Sequence, residues 1–123
     1  MNVPDDRRYT KDHEWVLVDG GEARVGVTDY AQEALGDVVF VSLPPKGRRV
    51  VAGDTLGELE STKSIAEVYA PLTGIVDDVN ASLATTPQLV NQDPYDSGWL
   101  VTLAELTGVE DLLDAAAYRR LIG

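Results

Sequence analysis

The feature that most constrains the fold is a short polar turn between two runs with strand character. Residues 54–60 form the first run, and residues 65–69 form the second. The four residues between them, Ser61 to Ser64, are small, polar or charged, which is typical of a tight connection between strands. The pattern predicts a β-hairpin with Lys63 at or beside its tip and its side chain in water. Such a lysine is either a solubilising surface residue or the attachment point for a carried group.

Glycines frame this hairpin on both sides. Gly47 and Gly53 precede Lys63, and Gly74 follows it. Because glycine adopts positive φ without steric cost, we expect these residues to fix the turns, and we expect Gly74 to have a positive φ. The flanking segments are also similar, V-V-A-G-D-T-L-G-E-L before the lysine and V-Y-A-P-L-T-G-I-V after it. Two strand–turn–strand units that meet at a lysine indicate a small pseudo-symmetric β domain.

The N-terminal part of the chain predicts a hairpin and a short helix. The turn D-G-G-E separates strand-like residues 14–18 and 23–27. Thr28 is the expected N-cap of the helix, and Gly36 is expected to end it. The apolar face of this helix is predicted to comprise Tyr30, Ala31, Ala34 and Leu35.

The remaining segments predict three further strands and a final helix. The strands are residues 38–43, 75–79 and 99–103, and Asp114 is the expected N-cap of the helix. Its apolar stripe is predicted to comprise Tyr118, Leu121 and Ile122. Four aromatic residues are predicted to lie in the core: Trp15, Tyr30, Phe40 and Trp99.

Composition excludes several classes of function. The formal net charge of −11 argues against binding a nucleic-acid backbone, which needs clustered basic residues. No apolar run approaches the roughly 20 residues of a membrane span. The absence of cysteine excludes disulfides and thiol nucleophiles, and a single histidine cannot build a two-histidine metal site. The first residues resemble neither a signal nor a transit peptide, so we expect a cytoplasmic protein of bacterial type.

Several stretches, in order along the chain, resemble the H protein of the glycine cleavage system, a lipoyl carrier. They are Y-T-K-D-H-E-W-V from Tyr9, V-G-V-T-D-Y-A-Q-E-A-L-G-D-V-V-F-V from Val25, E-S-T-K-S from Glu60, V-Y-A-P-L-T-G from Val68, V-N-Q-D-P-Y-D-S-G-W-L from Val90 and the terminal D-A-A-A-Y-R-R-L-I-G. These segments cover more than half of the residues. The lysine motif alone is shared by lipoyl and biotinyl domains, and the flanking segments make the resemblance specific.

The resemblance implies a β-rich (α+β) fold. This is the lipoyl/biotinyl-type barrel-sandwich hybrid of two small antiparallel sheets, with a short helix after the first hairpin and a C-terminal helix. It further implies one lipoyl-carrier domain over residues 1–123, with a lipoyl-type core at about 23–105, the lysine hairpin at 54–69 and a C-terminal helical segment at 109–122.

The implied function is that of a carrier. Lipoate would be joined by an amide to Lys63, with Glu60, Ser61 and Gly74 as the context of the attachment motif. The arm would take the aminomethyl group of glycine from a pyridoxal-phosphate glycine decarboxylase to a tetrahydrofolate-dependent aminomethyltransferase, and dihydrolipoyl dehydrogenase would reoxidise it. A lipoate ligase or a lipoyl/octanoyl transferase would attach the group. The chain itself would catalyse nothing, and we expect a monomer because a carrier visits several active sites in turn.

The resemblance also suggests that Glu14 helps to retain the charged aminomethyl arm. The alternative is a solvated acid on the first strand. Glu67 is a second candidate acid, although the family pattern has an aspartate soon after the lysine. For His13 a structural or surface role is expected.

Other functions stay open at this point. A biotinyl carrier domain would share the hairpin, but the typical sequence at its modified residue is Met-Lys-Met. Here Thr62 and Ser64 flank Lys63. A lipoyl domain of a 2-oxoacid dehydrogenase would lack the Y-T-K-D-H-E-W-V front and the final helix. An unmodified β-rich binding module is compatible with the composition, and a freestanding enzyme lacks a recognisable motif. The intact mass distinguishes a lipoyl increment, a biotinyl increment and an unmodified chain.

Overall fold

Two antiparallel β-sheets form most of the fold in a computed structural model that describes residues 1–123. The larger sheet has the strand order β1-β2-β3-β9-β8-β5, and the smaller has the order β4-β6-β7. The strands are β1 (Arg8–Tyr9), β2 (Glu14–Asp19), β3 (Glu22–Val27), β4 (Val38–Ser42), β5 (Arg49–Val50), β6 (Thr55–Ser61), β7 (Ile65–Tyr69), β8 (Thr73–Val79) and β9 (Val101–Thr107). The α-helices are α1 (Asp29–Leu35), α2 (Leu89–Gln92) and α3 (Ala115–Ile122), and 3-10 turns lie at Ala81–Ala84 and Val109–Asp111. This arrangement confirms the predicted fold class.

The first hairpin leads directly into α1, as predicted. Strands β2 and β3 pair from Glu14 opposite Val27 to Asp19 opposite Glu22. The Thr28 hydroxyl accepts a hydrogen bond from the Ala31 N–H at 3.2 Å and so caps the helix. Gly36 has φ of 86° and ends it, which few residues with a side chain can do. Helix α1 therefore starts and stops where the local sequence requires.

The lysine hairpin lies at the centre of the predicted pseudo-symmetry. Its strands β6 and β7 pair with each other, and the outer segments pair as β5 with β8. Gly53 donates its N–H to the Ala70 carbonyl at 2.9 Å, and the Ala70 N–H donates to the Asp54 carbonyl at 2.7 Å, which closes the base of the hairpin. Gly53 has the expected positive φ of 93°.

The core has two parts. The larger cluster takes buried side chains from both sheets, including Val25, Leu59, Leu72 and Leu103. The smaller cluster attaches the N-terminus and α3 to the outside of the larger sheet, and its members are Val3, Tyr9, Trp15, Ala115 and Tyr118.

The prediction for Gly74 is wrong. Gly74 does not have a positive φ; it lies within β8, opposite Val50. A Cβ at this position would lie 2.8 Å from the carbonyl oxygen of Ala104, much closer than real Cβ contacts. Glycine is therefore required by the close approach of β9 to β8 rather than by a turn.

Two of the four aromatic residues predicted to be in the core are exposed. Phe40 is 58% exposed, and Tyr30 is 36% exposed. The pairing of β4 with β6 shifts register between Val38 and Phe40, so that Val38 faces the core and Phe40 faces solvent. Residues two apart would share a face in a regular strand, and a β-bulge breaks that rule. Trp15 is fully buried, as predicted, and Trp99 is partly buried against the smaller cluster.

The C-terminal segment is less continuous than predicted. The expected helical segment 109–122 is split into the 3-10 turn and α3, and the strand expected at 99–103 is β9 at Val101–Thr107. Asp114 is the N-cap of α3, accepting from the Ala117 N–H at 2.8 Å. Tyr118 is buried, whereas Leu121 is largely exposed, so the predicted stripe holds only in part. No helix is long and apolar enough to cross a membrane.

Candidate functional site

The tip of the lysine hairpin is organised by one buried hydroxyl. Ser61 is buried, and its Oγ accepts from the Lys63 N–H at 3.2 Å and from the Ser64 N–H at 3.0 Å. The same hydroxyl donates to the Ser64 carbonyl at 3.1 Å. Ser and Thr side chains stabilise tight turns through such local bonds. Ser61 therefore fixes the backbone that presents Lys63.

The Lys63 side chain extends from this tip past the end of α1. Its Cε lies 3.2 Å and its Nζ 3.7 Å from the position that a Cβ on Gly36 would occupy. Lys63 is exposed and forms no ion pair. The absence of a side chain at Gly36 leaves room for the lysine stem, and the amine is free to react.

A cleft of about 290 Å³ lies between α1 and the smaller sheet, and we call it the α1 cleft. Its apolar wall consists of the predicted apolar face of α1 together with side chains of β3, β6 and β7. These residues are Tyr30, Ala31, Ala34, Leu35, Val27, Leu59, Ala66 and Val68. Ser64, next to Lys63, also lines the cleft, so the cleft reaches the hairpin. Its remaining lining residues are Asp12, His13, Glu14 and Glu67.

Glu14 is buried in the wall of the α1 cleft. It is only 2% exposed, so the reading of Glu14 as a solvated acid is wrong. Its Oε1 accepts from the Thr10 hydroxyl at 2.6 Å, and its Oε2 accepts from the Tyr69 N–H at 3.3 Å. Burial raises the pKa of Glu14 to about 7, and these two hydrogen bonds oppose the rise. Near neutral pH this carboxyl is therefore poised between its two protonation states.

Tyr69 connects Glu14 with Glu67. Its N–H donates to Glu14, while its hydroxyl donates to Glu67 Oε2 at 3.0 Å. Glu67 is exposed on β7, four positions after Lys63, and it lines the same cleft as Glu14. The structure thus brings the two candidate acids to one cleft that begins beside the lysine.

The other residues of the attachment motif are placed differently. Glu60 lies on β6 with Phe40 and Ile65 as its cross-strand partners. The two apolar neighbours are 58% and 60% exposed, so an acid between two apolar side chains borders the hairpin tip on the outer face of the smaller sheet. Gly74 belongs to the larger sheet and takes no part in the tip.

Sequence reasoning missed the place of His13 in this site. The ring lines the α1 cleft, stacks on Tyr30 with centroids 4.5 Å apart and makes a hydrogen bond with Tyr118 at 2.8 Å. The backbone of His13 has φ of 69°, which is uncommon for a residue with a side chain. No local pattern in the sequence indicates these contacts, because Tyr118 is 105 positions away. No group of three or more potential metal ligands is assembled anywhere in the chain.

Comparison with known proteins identifies the family that the chain matches. The sequence model of the family described as Glycine cleavage H-protein matches residues 7–123. The glycine cleavage system H protein of Beutenbergia cavernae is 54% identical over 121 residues, covering 98% of this chain and 97% of that protein. That of Mycobacterium tuberculosis strain H37Rv is 52% identical over 127 residues, covering 96% and 95%.

A solved structure agrees with these relatives. The crystal structure of a glycine cleavage system H protein from Mycobacterium marinum superposes with a TM-score of 0.92 at 43% identity, covering 98% of this chain and 99% of that chain. The matches include the N-terminal segment Y-T-K-D-H-E-W-V and the final helix. We expected a lipoyl domain of a 2-oxoacid dehydrogenase to lack both segments. They therefore do not favour a carrier domain of another multienzyme complex.

Proposed function

The chain belongs to the glycine cleavage H-protein family, the lipoyl carriers of the glycine cleavage system, and from that premise we propose that Lys63 bears the lipoyl group. The observation that carries the proposal is the free Lys63 amine at a preformed tip beside an apolar cleft. The chain has two other lysines, and neither has this setting. Lys46 is paired with Asp78 at 3.3 Å, and Lys11 precedes β2.

The residues around Lys63 fit a lipoyl group. Joining lipoate to the amine through an amide removes one positive charge, and the exposed Lys63 has no carboxylate partner that this loss would leave unpaired. The apolar wall of the α1 cleft suits the hydrocarbon part of the arm. When bound, the group supplies a ring disulfide that accepts an aminomethyl group as it is reduced.

We assign the retention of that cargo to the acids of the α1 cleft. The aminomethyl amine is cationic at neutral pH, and an aminomethyl group on sulfur is lost to water as ammonia and formaldehyde. Glu14 is buried and partly shielded from water, where a carboxylate holds a cation more strongly than at the surface. A cation in the cleft would lower the pKa of Glu14 and favour its ionised form. Glu67, at the open side of the cleft, would be the second contact.

The partners follow from the carrier role. A glycine decarboxylase would load the arm, an aminomethyltransferase would unload it, and dihydrolipoyl dehydrogenase would reoxidise the dithiol. A lipoate ligase or a lipoyl/octanoyl transferase would attach the group. The chain would act as a monomeric substrate of these enzymes, and its own residues would hold and shield the arm without catalysing a step.

Intact mass and peptide mapping test the attachment site. The chain is incubated with a lipoate ligase, lipoate and ATP, and one lipoyl increment is expected on the peptide that contains Lys63. Lys63→Arg should fold normally and gain no increment, because arginine keeps the charge but cannot accept the acyl group. Lys46→Arg is the matched control and should be modified like the wild type. Modification of Lys63→Arg at another lysine would refute the assignment.

Hydrolysis of the loaded arm tests retention separately. Lipoylated Glu14→Gln keeps the size of the side chain and removes its charge. We expect it to be loaded by the decarboxylase and to lose its aminomethyl group to water several-fold faster than the wild type. Glu58→Gln removes an exposed acid of β6 and serves as the matched control. Equal rates in Glu14→Gln and the wild type would exclude Glu14 as the retaining charge and would leave the assignment of Lys63 intact.

A further inference from the structure

A chain of hydrogen bonds joins α3, the N-cap of α1 and the α1 cleft. The Ala31 N–H donates to Thr28 Oγ1 at 3.2 Å. Thr28 Oγ1 lies 2.7 Å from the hydroxyl of Tyr118, and that hydroxyl lies 2.8 Å from Nδ1 of His13. The chain therefore runs from the first turn of one helix, through the buried face of another, to a ring in the wall of the cleft.

The donors in this chain can be arranged in only one way without leaving a buried proton unpaired. Thr28 is fully buried, and the oxygen of Tyr118 is the only acceptor near its hydroxyl proton. Once Thr28 donates to Tyr118, the Tyr118 hydroxyl proton has His13 Nδ1 as its only acceptor. Nδ1 therefore accepts, and the proton of the neutral imidazole is on Nε2, which has no partner within the protein.

Protonated His13 does not fit this arrangement. An imidazolium ring carries a proton on Nδ1, so Tyr118 would have to accept from the ring and donate to Thr28. The hydroxyl proton of Thr28 would then be buried without an acceptor, which is unfavourable. Burial also lowers the pKa of His13, and nearby Asp12 opposes this effect.

Packing fixes both rings in place. Tyr118 is fully buried and stacks on Tyr9, with ring centroids 4.7 Å apart and planes 11° apart. His13 is held between Tyr30 of α1 and the edge of Tyr118. Neither ring can turn away from the other without losing these contacts.

We propose that Tyr118 is a positioning residue that holds His13 in the α1 cleft as the neutral tautomer with its proton on Nε2. The imidazole then adds a hydrogen-bond donor to the cleft and no positive charge. This matters most if the cleft receives a cationic cargo, which rests on the proposed function. The other titratable groups facing His13 are Asp12 beside it, Tyr30 and Tyr118 against its ring, and Glu14 and Glu67, which line the same cleft. An imidazolium here would compete with the cargo for Glu14 and Glu67.

The tautomer is measured directly on the unmodified chain of 123 residues. The chain has one histidine, so every imidazole signal in a long-range ¹H–¹⁵N correlation spectrum comes from His13. At pH 7.5 the wild type should show a protonated Nε2 and an unprotonated Nδ1. A proton on Nδ1 would overturn the proposal without any variant being needed.

Two variants with matched controls test the role of the hydroxyl chain. Tyr118→Phe keeps the ring stack but removes the hydroxyl that donates to His13 Nδ1. It should populate the Nδ1–H tautomer. It should also raise the His13 titration midpoint by roughly 0.5–1 pH unit, which corresponds to the loss of one hydrogen bond. Tyr9→Phe removes a hydroxyl from the other ring of the stack and should change neither property. If Tyr118→Phe does not fold, Thr28→Val is used instead, because it removes the hydroxyl that sets the direction of the hydrogen bonds from Thr28 to His13. Thr28→Val should also admit the Nδ1–H tautomer, while Thr28→Ser should retain the wild-type tautomer. An unchanged tautomer and midpoint in the folded variant would refute the proposal.

The pH dependence of cargo loss separates positioning from packing. Lipoylated, loaded Tyr118→Phe should lose its aminomethyl group faster than the wild type below about pH 7, where more of its His13 is protonated, and should match the wild type by pH 8.5. Equal acceleration at every pH would indicate a packing defect and would refute the electrostatic role. Failure to modify Lys63 would refute the proposed function alone, because the tautomer measurement needs no lipoyl group.

Discussion

Glu14→Gln should change how the stability of the unmodified protein depends on pH. Glu14 is buried, and its pKa is about 7 in the folded protein against 4.5 for the ordinary group. Between about pH 4.5 and 7 the folded chain therefore keeps a proton on Glu14 that the unfolded chain loses. The stability that comes from this stronger proton binding is fully present below about pH 4.5. As pH rises from about 4.5 through 7, that contribution is lost. Glutamine cannot ionise, so the variant avoids this loss.

The size of the effect follows from the difference between the two pKa values. Each unit corresponds to 1.36 kcal/mol, so ionising Glu14 in the folded state costs about 3 kcal/mol once the pH is well above 7. The glutamine oxygen can accept from the Tyr69 N–H, and its NH2 can donate to Thr10 Oγ1, as a protonated carboxyl can, so the two proteins should differ little at pH 4.5–5. Relative to the wild type, the variant should gain stability as pH rises and level off above about pH 8.

Urea unfolding followed by circular dichroism measures this difference. Free energies of unfolding are determined between pH 5 and 8.5 at constant ionic strength for the wild type, Glu14→Gln and the control Glu58→Gln. The control corrects for the loss of one negative charge from a chain of formal charge −11. If the wild-type and Glu14→Gln curves run parallel after this correction, Glu14 is not a desolvated acid and the reasoning fails.

Three further predictions concern the hairpin and the sheets. Gly74→Val should lower the free energy of unfolding by about 1–3 kcal/mol, because the valine side chain would collide with the Ala104 carbonyl. Thermal melting checks this, and an unchanged melting temperature would contradict the close approach of β8 and β9. Ser61→Ala should lower the free energy of unfolding by about 1 kcal/mol or more and slow the lipoylation of Lys63, because the turn loses all the hydrogen bonds of the Ser61 hydroxyl. An unchanged modification rate would show that the ligase does not need the preformed turn. Phe40→Ser should change the free energy of unfolding by no more than about 0.5 kcal/mol, since the side chain lies on the surface, and a loss typical of a core aromatic would contradict the bulge in β4.

The position of Lys63 could be predicted because it depends on local chemistry. A polar four-residue connection between two runs with strand character favours a turn at that point. Thr28 and Asp114 were predictable as helix caps for the same reason, since each bonds to an N–H three residues later. These features need no knowledge of the rest of the fold.

The positions of Phe40 and Gly74 depend on neighbouring strands and could not be predicted from the sequence. The run V-V-F-V-S-L does not alternate between apolar and polar residues, so it does not indicate which side chains face the core. The bulge that turns Phe40 outward arises from the pairing of β4 with β6. A glycine needed for a turn and a glycine needed for close strand packing look alike in a sequence. Gly74 is the second kind, which became visible only once β9 was placed beside it.

The α1 cleft shows why its acid and its histidine were hard to assess one at a time. Burial raises the pKa of Glu14 and lowers the pKa of His13, so desolvation drives both groups toward their neutral forms. A cleft whose two groups are neutral costs less to keep folded than one that contains an isolated charge. In the proposed role, the arriving cation would provide the missing partner, and Glu14 would then ionise while His13 stays neutral. Loading the cleft near pH 7 would thus be coupled to the release of a proton from Glu14, and the charge that holds the cargo would form only when the cargo is there to balance it.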